Sequence, residues 1–235
     1  MSNSEHTSKQ FDAELEAVRA RVLQMGGLVE SQIRLAVDSL VNGDVALMTK
    51  VIGDDHRVNA MEVEIDESCN RILVRRQPAA GDLRMVMTVI KTITDLERIG
   101  DEAEKIARMA KLLSQKESLY LPRYNEIKYA AEIALDMLRK SLDAFARLDL
   151  ATAATVVRQD ELVDEEFRTI MRYLITFMME DPRTISTSLE ILFVAKAIER
   201  IGDHAKNMSE YVVYMVKGRD VRHVTVEEIE REVQK

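Results

Sequence analysis

The sequence predicts an all-α protein made of two tandem antiparallel three-helix bundles, with six long helices and an elongated shape. Hydrophobic residues make up 46% of the 235 residues, but the chain holds only 3 prolines and 8 glycines, a composition that favours long helices over sheets. Apolar residues recur at alternating spacings of four and three, as in helices that bury one face. The pattern of the first half recurs in the second half, which indicates a duplicated helical unit.

The first unit is predicted to contain three helices. In the first helix, Gln32 is the one polar residue on the apolar face, and Asn42-Gly43 ends the helix. The third helix follows a turn at residues 77–82, where Asp82 is placed to cap its N-terminus. The predicted helices cover about residues 11–41, 44–76 and 83–113.

The second unit repeats this plan, with helices at about 123–147 and 150–179 and a third that ends at Lys217. Gly218 is placed to end that helix, and Thr225 with Glu228 has the spacing of a capping box on a short tail helix. The predicted domains are a disordered N-terminus at 1–10, a first bundle at 11–114, a linker at 115–122, a second bundle at 123–218 and a C-terminal tail at 219–235.

A short acidic motif occurs once in each unit. Residues 97–101 read Glu-Arg-Ile-Gly-Asp, and the same five residues recur at 199–203. Each copy places two carboxylates at i and i+4 on one helical face, Glu97 with Asp101 and Glu199 with Asp203. Both pairs continue an apolar row of their helix, so we expect them to lie at or near a helix contact.

The second helix of each unit adds acidic residues at matching positions. Asp55 matches Asp160 at a distance of 105 residues, and Asn59 and Asp164 follow one turn later. Because successive helices of the bundle are antiparallel, these side chains can meet the acidic pairs. We therefore predict a first acidic cluster and a second acidic cluster, which consist of Asp55, Asn59, Glu97 and Asp101 and of Asp160, Asp164, Glu199 and Asp203 respectively.

Such clusters need neutralisation, because like charges at i and i+4 destabilise a helix and buried charges cost more. Arginines are one candidate, with Arg98 and Arg200 inside the motifs and Arg84 or Arg183 within possible reach. A divalent metal ion or metal cluster (Mg, Mn, Fe or Zn) held by carboxylate oxygens is the other. The sequence favours neither the arginines nor the metal over the other. In the metal reading, Arg98, Arg200 and Asn59 would support the ligands.

The two motif glycines favour a site slightly. A glycine inside a helix costs about 1 kcal/mol relative to alanine, so it usually serves a close approach. Tight helix packing without a ligand would explain Gly100 and Gly202 equally well.

Composition excludes several classes of protein. A net charge of −8 argues against nucleic acid as a partner, since phosphate binding needs a basic face. A single cysteine, Cys69, allows no intrachain disulfide, and no secretory signal or membrane span is visible, so a cytoplasmic protein is expected. A ferritin-like di-iron oxidase would need a Glu-x-x-His motif, whereas His204 follows Glu199 by five residues.

These motifs also carry a family resemblance. The chain resembles the PhoU family of phosphate-transport accessory proteins through both acidic motifs, the segments 76–78 and 82–84, and the tail residues 216–218 and 222–223. The resemblance implies two three-helix bundles in a cytoplasmic, often dimeric protein that reaches the membrane only through partners. It also implies metal binding by the Glu97, Asp101, Glu199 and Asp203 positions in some members.

The resemblance further implies a non-enzymatic negative regulator of phosphate uptake and of the phosphate-starvation (Pho regulon) response. The implied partners are the ATPase of a phosphate ABC transporter and a phosphate-sensing histidine kinase. Two alternatives remain from the residues themselves. A metal-dependent carboxylate-cluster enzyme could act on phosphate compounds, and a structural coiled-coil scaffold would need no ligand, although the matched polar residues argue against it.

Overall fold

A computed structural model describes residues 2–78, 80–115 and 124–234 and confirms the predicted all-α fold. Its helices pack lengthwise into an elongated molecule, and α1, the longest at 41 residues, extends over about 60 Å. The α-helices are α1 (Ser2–Asn42), α2 (Val45–Asp54), α3 (His56–Arg76), α4 (Ala80–Ser114), α5 (Tyr124–Arg147), α6 (Leu150–Glu180), α7 (Ile185–Lys217) and α8 (Val226–Gln234).

The helices associate in two groups that correspond to the two sequence units. In the first group α1 packs against α2, α3 and α4, and in the second α5, α6 and α7 pack against one another. Two contacts join the groups, one between α1 and α5 and a more extensive one between α4 and α7. Hence α4 and α7, which carry the acidic motifs, bury residues on two faces, one toward their own group and one toward each other.

Local signals end and begin these helices as the sequence predicts. Gly43 and Gly218 follow α1 and α7 with φ of +66° and +71°, a backbone region that favours glycine. The Gly218 N–H donates to the Tyr214 carbonyl. At α8, the Thr225 N–H donates to Glu228 Oε2 and the Glu228 N–H donates to Thr225 Oγ1, which confirms the capping box.

Four boundary predictions need comment. The helix predicted over residues 44–76 is interrupted at Asp55, which separates α2 from α3, although its φ of −58° and ψ of −41° are helical. Helix α4 begins at Ala80, so Asp82 lies in its first turn and does not cap it. Helix α1 begins at Ser2, not at Phe11, because extending an existing helix through residues that include no Gly or Pro costs little. The predicted linker lies outside the described residues apart from Gln115.

The two motif glycines bring the antiparallel helices close together. A Cβ on Gly100 would lie 3.3 Å from Val58 Cγ1, and a Cβ on Gly202 would lie 3.4 Å from Val163 Cγ1. Val58 and Val163 are themselves matching positions, and both are fully buried. Each acidic motif thus contacts the preceding helix at its glycine. At Gly100 a side chain would crowd Val58, which explains why a glycine occurs there despite its cost in a helix; at Gly202 a Cβ would make an ordinary contact.

The C-terminal residues fold back over the second group. Helix α8 packs on α6, and Ile229 of α8 is buried. Val221, in the segment that joins α7 to α8, is also buried. Arg158 of α6 makes a bidentate ion pair with Glu230 of α8, with Nε 2.7 Å from Oε1. Among the described residues, no helix is long and apolar enough to cross a membrane.

Candidate acidic sites

The structure brings the residues of the first acidic cluster together where α3 begins and α4 passes it. The Asn59 amide donates to Asp55 Oδ2 at 3.2 Å. Burial raises the pKa of Glu97, and the negative charges of Asp101, Glu62 and Asp55 raise it further. Burial and the nearby Glu104 likewise raise the pKa of Asp101 and Asp55. The cluster therefore has a surplus of negative charge.

Four buried polar atoms around this cluster lack partners among the described residues. They are Asp55 Oδ1, Asn59 Oδ1 and the whole amide of Gln32. Gln32 is 4% exposed, and its Oε1 would lie 3.5 Å from a Cβ on Gly100. Buried oxygens without donors cost roughly 1–3 kcal/mol each, so this region of the first unit is incompletely satisfied.

Three of the four acids of the second acidic cluster have cationic partners. Lys206 Nζ donates to Asp160 Oδ2 at 2.7 Å, Lys196 pairs with Glu199 at 2.5 Å, and Arg168 pairs with Asp164 at 3.3 Å. Asp203 keeps no such partner in the described part of the chain. Burial and the charge of Glu199 raise the pKa of Asp203 to about 6.

The second cluster borders a cleft of about 490 Å³ between α7 and the segment that leads to α8. Asp203, Lys206 and Glu210 line it from α7, and Arg222 with His223 lines it from the C-terminal segment. Burial raises the pKa of Glu210 to about 7, although the positive charge of Lys206 works against the shift. Arg222 is engaged by Asp220 at 2.6 Å.

Of the arginines predicted to neutralise the clusters, three have other partners, whereas the charge of Arg98 acts against the rise in the pKa of Glu97. Arg200 Nε lies 3.1 Å from Glu102 of α4, across the contact between the groups, and its charge acts on Asp101 of the first cluster. Arg84 donates to the Met215 carbonyl at the C-terminus of α7, and Arg183 pairs with Asp181. Arg98 is exposed. Arg200 thus pairs with a residue of the other unit, and its support of Glu199 and Asp203 stays a prediction.

The donor chemistry of both clusters is oxygen, which suits hard cations such as Mg²⁺ or Mn²⁺. Across residues 2–78, 80–115 and 124–234, no three His, Cys, Asp or Glu side chains are gathered so that they could hold one metal ion. The first cluster offers a cation unsatisfied oxygens and surplus negative charge, but its carboxylates would have to move closer together to share one ion. The second cluster does not fit one, because an ammonium group already contacts its most buried carboxylate.

A buried polar contact between α4 and α7 was not predicted from the sequence. Asp95 Oδ1 lies 2.7 Å from His204 Nδ1 and 3.4 Å from the Asn207 amide nitrogen, and the Tyr211 hydroxyl also bonds to Asp95. Asp95 and His204 are 3% and 7% exposed. A second buried row on α4 signals this contact, since it continues at heptad spacing through Thr88, Thr92, Asp95, Ile99 and Glu102.

The buried acids of α4 therefore differ from the predicted ones. Asp95 and Glu102 are buried in the contact with α7, whereas Glu97 is half-buried and Asp101 is exposed. In the second unit Asp160 is buried, and Glu199 and Asp203 are half-buried at the edge of the helix contact. The acidic pairs thus remain accessible to solvent or to a ligand.

Comparison with known proteins gives matches along the whole chain. The PhoU domain model matches twice, over residues 22–110 and 127–212. A Pseudomonas putida protein named as a phosphate-specific transport system accessory protein PhoU homolog is 49% identical over 235 residues, which cover 99% of this chain and 91% of that protein. Relatives of this kind are named accessory or regulatory proteins, in agreement with the predicted non-enzyme.

Two solved structures share the fold. The crystal structure of PhoU from Pseudomonas aeruginosa superposes with a TM-score of 0.85 at 48% identity, covering 89% of this chain and all of that one. The phosphate transport system regulatory protein PhoU from Streptococcus pneumoniae superposes with a TM-score of 0.83 at 27% identity, covering 90% of this chain and 99% of that one. The two domain matches, together with 49% identity over 99% of the chain, place this chain in the PhoU family of accessory proteins of the phosphate-specific transport system.

Proposed function

We propose that this chain is a cytoplasmic, non-enzymatic negative regulator of phosphate uptake and of the phosphate-starvation response. In this proposal a homodimer links the ATPase of a phosphate ABC transporter to a phosphate-sensing histidine kinase. The observation that carries the proposal is the family match over both units, with relatives named for the phosphate transport system. Long, well-packed helices also provide a surface wide enough for two partners, since α1 alone extends over about 60 Å.

The regulatory proposal predicts repression when phosphate is plentiful. In a bacterium that lacks its own PhoU, the full chain should return a phosphate-starvation promoter to its low activity in phosphate-rich medium, a drop of about tenfold or more. Reporter fluorescence measures the promoter, and an empty vector is the control. If the promoter stays active while the chain is present and helical, the regulatory proposal is wrong.

We further propose that the first acidic cluster binds a divalent cation. Asp55, Glu97 and Asp101 are the proposed ligands and would move closer together to share one ion, with Asn59 beside them, while Arg200 would balance part of the remaining charge from the second unit. A bound cation supplies the positive charge that the cluster lacks. The unpartnered oxygens of Asp55 and Asn59 support this proposal, and so does the unpartnered amide of Gln32 behind Gly100.

The cation proposal predicts metal that depends on the first cluster. Protein purified without chelator should contain a divalent metal in about one-to-one or higher ratio, and Glu97→Gln/Asp101→Asn should lower that content at least tenfold while the helices remain. Mass spectrometric metal analysis measures the content and circular dichroism the helicity. Glu67→Gln, an exposed carboxylate of α3, is the control and should keep the metal. Equal metal in all three proteins would contradict the assignment.

A further inference from the structure

The two acidic clusters differ at two matching positions of α4 and α7. Where α4 has Glu104 followed one turn later by Arg108, α7 has Lys206 followed by Glu210. The order of the charges is therefore reversed between the units. Glu104 pairs with Arg108 on its own helix, so the first cluster gains a carboxylate and the second gains an ammonium group.

The contacts of this ammonium group are specific. Lys206 Nζ lies 2.7 Å from Asp160 Oδ2, and Asp160 is 6% exposed, the most buried acid of the second cluster. Asp55, which matches Asp160, has no lysine at this place; the charge of Arg108 acts on it without an ion pair, and Asp55 Oδ1 lacks a partner among the described residues. The charge of Glu104 instead raises the pKa of Asp55, second to burial itself.

The core residue beneath each cluster also differs between the units, polar in the first and apolar in the second. Gln32 of α1 is 4% exposed with an unpartnered amide, whereas the matching residue of α5 is Met137, which is fully buried and needs no hydrogen bond. The first unit thus carries unsatisfied polar atoms in its core and its cluster. At the matching positions the second unit carries the apolar side chain of Met137 and a cluster with resident cations.

We propose that Lys206 is the built-in counter-cation of the second acidic cluster and that this cluster therefore binds no metal ion. The two units of the chain are divided in their chemistry. The first takes up an external cation, and the second is neutralised by a side chain that is always present. The confinement of cation uptake to the first cluster rests on the cation proposal above, whereas the role of Lys206 does not.

Thermal unfolding tests the role of Lys206 without any metal. Lys206→Met should lower Tm by about 4 °C or more in the presence of chelator, because Asp160 is left buried without its partner. Adding Asp160→Asn to that variant should recover more than half of the loss, since the uncovered carboxylate is then removed. If Lys206→Met does not fold, the double variant should still fold, because the uncovered carboxylate is gone. A double variant that also fails to fold would overturn the proposal. An unchanged Tm in Lys206→Met would overturn the proposal.

Calorimetric titration with Mn²⁺ tests the division between the units. With the first cluster removed by Glu97→Gln/Asp101→Asn, the chain should bind no Mn²⁺ at concentrations up to about 1 mM. Adding Lys206→Glu, which copies Glu104 into the second unit, should create Mn²⁺ binding with a Kd at least tenfold below that limit. Binding that is already present before this change, and is lost with Asp203→Asn, would overturn the proposal. A wild type without Mn²⁺ binding would contradict only the cation proposal, because the Tm comparison stands apart from it.

Discussion

Replacing Asp95 by alanine is expected to lower the free energy of unfolding by about 3–5 kcal/mol, the usual loss when one partner of a buried polar pair is removed. The change leaves His204 Nδ1 without its partner in an environment where the ring is 7% exposed. It also removes the acceptor for Asn207 and Tyr211. Because Asp95 lies between the two groups of helices, their unfolding should also become less cooperative.

Urea unfolding followed by circular dichroism measures the Asp95 effect. Arg158→Ala is the matched control, since it breaks an exposed ion pair with Glu230 and should change the stability little. Asp95→Leu/His204→Leu should recover much of the loss, because apolar residues often replace a buried polar pair at little cost. A loss below about 1 kcal/mol for Asp95→Ala would show that the buried contact contributes little to stability.

Replacing Glu210 by glutamine is expected to stabilise the protein at pH 8 relative to wild type, with the advantage nearly absent at pH 4.5. The pKa of Glu210 is raised from 4.5 to about 7 in the folded chain, mainly by burial. Its contribution to stability is thus fully present below pH 4.5 and is lost as the pH rises through 7. The difference between the two proteins should widen by about 2–3 kcal/mol over this range, since each pKa unit corresponds to 1.36 kcal/mol.

Urea unfolding of both proteins at pH 4.5, 6 and 8 measures this difference, and the comparison cancels the titration of all other groups. Glu230→Gln is the control with the opposite sign. Arg158 lowers the pKa of Glu230, so the contribution of that carboxylate is present at neutral pH and lost on acidification. A difference between wild type and Glu210→Gln that stays constant with pH would mean that the pKa of Glu210 is the same in the folded and the unfolded chain.

The helices could be predicted from the sequence because their signals are local. Apolar spacing, Gly43, Gly218 and the Thr225 capping box each act within a few residues. The interruption at Asp55 could not be predicted in this way, since its backbone angles are helical and no Pro or Gly occupies the position. The matched acids could also be predicted to meet, because the duplication marks positions that share a helix face.

The partners of the polar residues depend on contacts between the two groups, which no single helix encodes. Arg200 lies within an acidic motif, yet it pairs with Glu102 of the other unit. His204 follows the second motif and was assigned no role from spacing, but the packing of α4 on α7 places it on Asp95. Charge reversal at Glu104 and Lys206 is visible in the aligned repeats, and its meaning required the contact of Lys206 with Asp160.

The bonds of Asp95 to α7 also constrain how the two halves of the molecule can move. His204, Asn207 and Tyr211 lie on successive turns of α7, so one carboxylate is bound along nearly two turns of the opposing helix. A slide of one helix past the other by one turn, about 5.4 Å, would break all these bonds at once. Asp95 therefore fixes the register between the two halves along the α4–α7 contact.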